Sequence, residues 1–201
     1  MFDQLKDVQT VEKTIASLKS NGITAYSVET GEEAKKKVLE IIPKGAEVMT
    51  MTSVTLDVIG LRQELNESEN FESVRNKLKS INRETQSAEM QKIGAAPEWA
   101  LGSVHAVTEN GEVLVASNTG SQLAAFAYGA QHVIWIVGTQ KIVKNRDEAL
   151  KRIYEYAFPL ENVRAQKTYG VGSNVSKLLI IDKEVNPHRL TIVFVSEKLG
   201  F

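Results

Sequence analysis

The chain has no cysteine among its 201 residues. That absence excludes disulfides, thiolate zinc sites, a cysteine nucleophile and cysteine-ligated iron–sulfur clusters within the chain. Charge of neither sign is in excess: 24 lysines and arginines stand against 25 aspartates and glutamates, for a formal net charge of −1. With no basic field, nothing argues for a nucleic-acid partner. Long apolar runs are also missing. No stretch approaches the roughly 20 residues needed to cross a bilayer, and the opening MFDQLKDVQT lacks the apolar segment of a signal peptide. The expectation is a cytoplasmic protein with no membrane partner. Histidines number three, His105, His132 and His188, scattered without metal-ligand spacing, so no metal site is expected. No GxSxG elbow, Walker sequence or GxGxxG fingerprint appears, which leaves esterase, nucleotidase and dehydrogenase readings without a motif.

What is present centres on residues 104–143, VHAVTENGEVLVASNTGSQLAAFAYGAQHVIWIVGTQKIV. Two short strands around Glu109-Asn110-Gly111 read as a hairpin whose turn needs a left-handed residue at the glycine. Asn118, Thr119, Gly120, Ser121 and Gln122 then form a polar loop entering a small-residue helix, with Ser121 or Thr119 available as its N-cap. The run Val133-Ile134-Trp135-Ile136-Val137 is apolar on both faces, the pattern of a central strand in a covered parallel sheet. Backbone N–H groups at such a loop suit an anion, although the same residues also cap helices that bind nothing.

Elsewhere, Leu5, Val8, Val11, Ile15 and Leu18 predict an amphipathic helix over residues 2–20, stopped by Asn21-Gly22. A strand at 23–28 and a helix capped by Thr30 follow. Residues 47–51 read as another strand, with Thr52 and Ser53 opening the next helix. Ligands in open parallel sheets bind beyond the carboxyl ends of strands, so Thr52 and Ser53 either share one crevice with the 118–122 loop or serve only as caps. Around 66–101 lies a polar helical excursion. Its Arg75, Lys77, Lys79 and Arg83 either line a cleft or form a solvated face, and Pro97 to Leu101 read as one short helix with Trp99 as a core or lid aromatic. Lys141 follows the apolar strand on the side where a crevice would open. A helix after Asn145 is expected to stop at Pro159, and two late strands, at 178–182 and 190–195, are joined through Asn186-Pro187 in a hairpin-like pair. The whole, residues 1–201, reads as a single α/β domain around a largely parallel sheet made mixed at one edge by the two hairpin-like pairs. Weakly amphipathic helices at both ends leave room for a homodimer.

The segment from Gly102 to Tyr156, with EVMTMTSVTLDVIGL before it and the terminal TIVFVSEKLGF, resembles the LUD domain, the lactate-utilisation family, over essentially the whole chain. The resemblance implies a three-layer sandwich similar to ribose-phosphate isomerase, glucosamine-phosphate deaminase and the CoA transferases. It implies that a first strand-end loop holds phosphate or an acyl ligand, falling on Thr50, Thr52 and Ser53. A second would fall on Glu109 and on Asn118, Thr119, Gly120, Ser121 and Gln122. The isomerase branch carries an acidic pair before that loop and a lysine with consecutive glycines in it, where this chain has Thr108-Glu109-Asn110 and Asn118-Thr119-Gly120. LUD proteins are associated with oxidation of L-lactate to pyruvate in complexes whose other members carry flavin-type or iron–sulfur centres. The resemblance thus implies a small-anion-binding or accessory subunit with no cofactor of its own and an iron–sulfur subunit as partner. The alternative is an isomerase or CoA-transferase-like enzyme acting on a sugar phosphate or acyl-CoA, with Glu109 as base or nucleophile and Lys141 stabilising charge.

Overall fold

The computed structural model of the chain describes residues 2–201. Its first half runs α1 (Val8–Ser20), β1 (Thr24–Val28), α2 (Gly31–Ile41), β2 (Glu47–Thr50), α3 (Val54–Val58), α4 (Leu61–Glu67), β3 (Glu72–Ser73), α5 (Val74–Lys79), α6 (Ser87–Ala95) and β4 (Trp99–Gly102). The second half runs β5 (Ala106–Thr108), β6 (Val113–Ser117), α7 (Ser121–Ala124), β7 (His132–Gly138), β8 (Ile142–Val143), α8 (Arg146–Lys151), α9 (Phe158–Tyr169), β9 (Lys177–Ile181) and β10 (Leu190–Val195). Asp7 starts α1 by accepting from the Thr10 N–H, so the first helix begins later than its apolar spacing predicts. Asn21 ends it, and Thr30 caps α2 by accepting from the Glu33 N–H.

A six-stranded sheet in the order β1-β10-β7-β4-β2-β3 forms the middle layer, and every pairing in it is parallel. Alternation along its strands sends side chains to opposite faces. Ile134, Ile136, Val193 and Val195 meet Ala34, Val38, Leu56, Leu61 and Leu65 of α2, α3 and α4 on one side. On the other, Val133, Trp135, Val137, Ile192 and Phe194 meet Val11 and Leu18 of α1, Phe126, and Val107, Val113 and Val115 of a second sheet. That second sheet has four strands in the order β8-β5-β6-β9, and its outer face packs Ala106, Leu114 and Ala116 on Ala149 and Ile153.

The architecture is the expected α/β sandwich around a parallel sheet, with four local corrections. The hairpin β5–β6 is antiparallel as expected, with Gly111 at φ 84°, but it builds the separate small sheet rather than a mixed edge. The late strands do not pair with each other: β9 joins β6 in the small sheet and β10 is inserted between β1 and β7. Trp99 to Gly102 is a fully buried strand hydrogen-bonded on both sides, not a short helix. The N1 preference of Pro97 is overridden because both faces of this segment are covered, and Trp99 stacks on His132 with centroids 4.2 Å apart. Finally, the helix does not stop at Pro159. A π-helical stretch, Arg152–Ala157, leads straight into α9, and this wider turn opens the backbone where the proline ring would otherwise meet the carbonyl one turn back.

Another π-helical stretch, Ala125–Gly129, is fastened to the sheet by Arg189. Its guanidinium donates to the carbonyls of Ala125, Phe126 and Ala130 at 3.1, 3.0 and 3.0 Å, and pairs with Glu184 at 2.8 Å. Both side chains of that ion pair are less than a tenth exposed. No helix among the described residues is long and apolar enough to cross a membrane.

Removing one partner of a buried ion pair strands the other charge. Arg189→Met is therefore expected to lower the unfolding free energy by about 3–5 kcal/mol in urea denaturation. A loss well under 1 kcal/mol would contradict the fastening role.

Candidate functional site

Because the large sheet is parallel, its strands release their carboxyl ends on one side. Beyond β2 come Thr52 and Ser53, beyond β4 comes Ser103, and beyond β7 a 3-10 turn carries Lys141. Together with the loop after β6, α9 and the loop at 171–175, these ends enclose a cleft of about 740 Å³.

Of the sequence-predicted ligand residues, Thr52, Ser53, Asn118, Thr119, Ser121 and Gln122 line this cleft with Lys141. Thr50 does not. Its hydroxyl is buried and exchanged with the Asn66 amide, while its carbonyl accepts from Arg75 Nε at 2.9 Å. Gly120 is the N-cap of α7 at φ 87°, in place of Ser121 or Thr119, and lies beneath the lining with Lys177 packed against its Cα. The Thr119 hydroxyl instead accepts from the Ser121 N–H at 3.3 Å. Glu109 is outside the cleft. The hairpin turn carries it to α1, where it pairs with Lys13 at 2.8 Å, because a turn between β5 and β6 lies at the end of the small sheet remote from Ser117 and the 118–122 loop.

Lys141 is 2% exposed. Its Nζ donates to Ser103 Oγ at 3.0 Å and to Thr55 Oγ1 at 3.3 Å, and no carboxylate pairs with it among the described residues. Thr55 in turn donates to the Leu199 carbonyl at 3.2 Å, and Gln140 Nε2 donates to the same carbonyl at 3.0 Å. Burial, aided by the nearby Arg152 guanidinium, pulls the ammonium down to about 7. His105 sits beside it. Its Nδ1 accepts from the Ala116 N–H at 3.1 Å, and burial with the Lys141 and Arg152 charges pushes the ring down to about 3. The imidazole is therefore neutral, with its proton on Nε2. Arg152 is fully buried, and its NH1 donates to the His105 carbonyl.

Sequence reasoning left some lining residues open and missed others. Arg75 and Arg83 of the helical excursion do reach the cleft, whereas Lys77 pairs with Glu47 and Glu72 and Lys79 donates to Asn76. Arg75 holds the Thr50 carbonyl and, through NH2, the Thr52 hydroxyl at 3.2 Å. Ser103 was hidden by reading the strand before it as a helix. The side-chain carboxylates in the lining are Asp57 and Glu161, which pair with Arg62 at 2.5 Å and Arg164 at 2.7 Å. Arg75, Arg83 and Lys141 have no such partner among the described residues.

A wholly parallel sheet between covering layers, with a hydroxyl-lined, cationic cleft at its strand ends, defines a three-layer α/β protein with a cleft suited to an anion. The LUD domain profile matches residues 11–195, and the chain belongs to the LUD domain family. Among solved structures, a DUF162 family protein from Deinococcus radiodurans superposes with a TM-score of 0.56 at 11% identity, over 96% of this chain and all of that one. The eIF2B beta subunit from Chaetomium thermophilum reaches a TM-score of 0.39 at 18% identity over 58% of this chain and 44% of its own length. The eIF2B delta subunit of the same organism reaches 0.34 at 14% identity, over 72% of this chain and 59% of its own. No curated protein sequence matches the chain.

Lys141 loses proton affinity on folding, from its ordinary value near 10.5 to about 7. Between those values the unfolded chain holds the extra proton, so this residue's penalty on stability is complete below pH 7 and fades as pH rises. Lys141→Met is expected to raise the melting temperature most at pH 6 and least at pH 9 and above. A gain that does not change with pH would contradict the buried, unpaired ammonium.

Proposed function

We propose that the protein is a small-anion-binding component of a lactate-utilisation system, working in the cytoplasm as an accessory subunit to partners that carry the redox centres. The observation that carries this reading is the charge of the cleft. Its side-chain carboxylates are neutralised by their own arginines, whereas Arg75, Arg83 and Lys141 have no carboxylate partner among the described residues, in a chain whose formal net charge is −1. A carboxylate matches the Arg75 fork, which is already oriented by Thr50 and Thr52. The hydroxyls of Ser53, Thr119 and Ser121 suit the remaining oxygens. Family membership supports lactate and pyruvate as the first carboxylates to consider. An iron–sulfur partner fits a chain that has no cysteine with which to ligate a cluster.

The enzyme alternative, an isomerase or CoA-transferase-like activity on a sugar phosphate or acyl-CoA, requires a base or nucleophile inside the cleft. Glu109 does not supply it, since it is paired with Lys13 outside the lining.

Thermal unfolding against lactate, pyruvate, sugar phosphates, acyl-CoAs and nucleotides tests the reading. A ligand of the native state at about 100 times its dissociation constant adds about 2.7 kcal/mol of stability. A monocarboxylate is expected to raise the melting temperature, and Arg75→Ala to cut its affinity by about 1.5–3 kcal/mol, the range for a charge-assisted hydrogen bond. Flat curves across the panel would contradict an anion site.

A further inference from the structure

We propose that Ser103 is a nucleophile activated by Lys141, and that the cleft transfers an acyl group to water from a small ester or thioester bearing an anionic end. The proposal rests on the anion-binding reading only for the charged end of the substrate; the reacting groups are separate from the arginines that would hold it. Ser103 Oγ lies 3.0 Å from Lys141 Nζ, within the reach that nucleophile and base require. Burial divides the roles. Ser103 is half-buried and lines the cleft, whereas Lys141 is 2% exposed behind it, so the base is sheltered and the nucleophile presented.

A third group orients the base. Thr55 accepts from Lys141 at 3.3 Å, while its own proton goes to the Leu199 carbonyl at 3.2 Å. The amine therefore faces a fixed lone pair on one side and Ser103 on the other. A lysine serves as a base only when neutral, and the groups around this one favour that form. No carboxylate pairs with it among the described residues, and the titratable or charged groups facing it are Arg152, a cation, and His105, a neutral ring. The His105 ring lines the same cleft, and its only N–H is the Nε2 donor, because Nδ1 is occupied by the Ala116 N–H. That donor suits the oxyanion of a tetrahedral intermediate.

In the first half-reaction Ser103 Oγ gives its proton to the neutral Nζ and bonds to the acyl carbon; the bond to the alkoxide or thiolate breaks, and the leaving group takes the proton from Nζ. Water then gives a proton to Nζ, its oxygen bonds to the acyl carbon, and Oγ departs and recovers that proton. The sum is ester or thioester plus water giving a carboxylic acid plus an alcohol or thiol.

The test uses the full chain with a fluorophosphonate probe and, separately, p-nitrophenyl acetate, read by intact mass and peptide mapping. The expected result is a single adduct on Ser103 whose rate of formation rises with pH through about 7, the value to which Lys141 is pulled. Lys141→Met is expected to slow labelling by roughly 100-fold or more, the low end of general-base catalysis. No adduct on Ser103, or an adduct formed as fast in Lys141→Met, would overturn the proposal. The peptide map is read on the unaltered chain, so the nucleophile is tested even where a variant fails to fold. Absent labelling with carboxylate-dependent stabilisation intact overturns the nucleophile alone; labelling without that stabilisation overturns the anion reading alone.

Discussion

An ammonium held at the floor of a cleft by two hydroxyls, with no carboxylate partner among the described residues, is the constraint around which the site is arranged. Removing a charge from water costs several kcal/mol even after relaxation, and hydroxyls recover only part of that. The local structure nonetheless keeps Lys141 where it is. Three adjacent strands deliver its surroundings: β2 leads to Thr55, β4 to Ser103 and β7 to Lys141 itself. The Leu199 carbonyl locks the arrangement from above by accepting from both Thr55 and Gln140. Arg152, behind it, makes the charge more costly still. Stability alone would favour a methionine here, and sites that cost stability are where function is sought.

The small sheet gives the cleft its second wall. Its inner residues Val107, Val113 and Val115 pack on the large sheet, so the exit of β6 is brought over the carboxyl ends of β2, β4 and β7. The loop at 118–122 thereby faces Thr52 and Ser53 across the opening. The helical excursion supplies Arg75, whose anchoring by Thr50 converts a buried threonine from a candidate ligand residue into the support of one. The continuous π-bulged helix from α8 to α9 does the same on the far side, passing buried Arg152 beneath the cleft and presenting the Glu161–Arg164 pair at its edge.

Much of this was legible in the sequence because the strongest signals are local. Val133 to Val137 is apolar on both faces, and only a covered central strand tolerates that; the turn at Gly111 and the cap at Thr30 are likewise set by near neighbours. The rule that parallel strands end together offers one crevice for both hydroxyl-rich loops, with helix capping as the alternative. What could not be read depends on contacts distant in sequence. The strand at Trp99 follows a helix-start proline and has only four residues, and its partners Val48 and His132 lie far along the chain. Misreading it concealed Ser103. Glu109 was drawn into the site by its place in the chain, but a hairpin turn points away from the end where its strand exits, and Lys13 claims it. Lys141 stands out in the sequence by its place after the apolar strand, while its burial follows from the tail folding back over it, which no local pattern encodes.

The central claim is that Lys141 is a buried amine waiting for an anion, and the most direct measurement is an NMR pH titration of its side chain in isotopically labelled protein. Without ligand, the amine is expected to titrate near 7, well below its ordinary 10.5. Saturating lactate or pyruvate should then move that midpoint upward, because a bound negative charge favours the protonated form. An amine that titrates near its ordinary value in the free protein, or whose midpoint ignores every anion offered, would contradict the account.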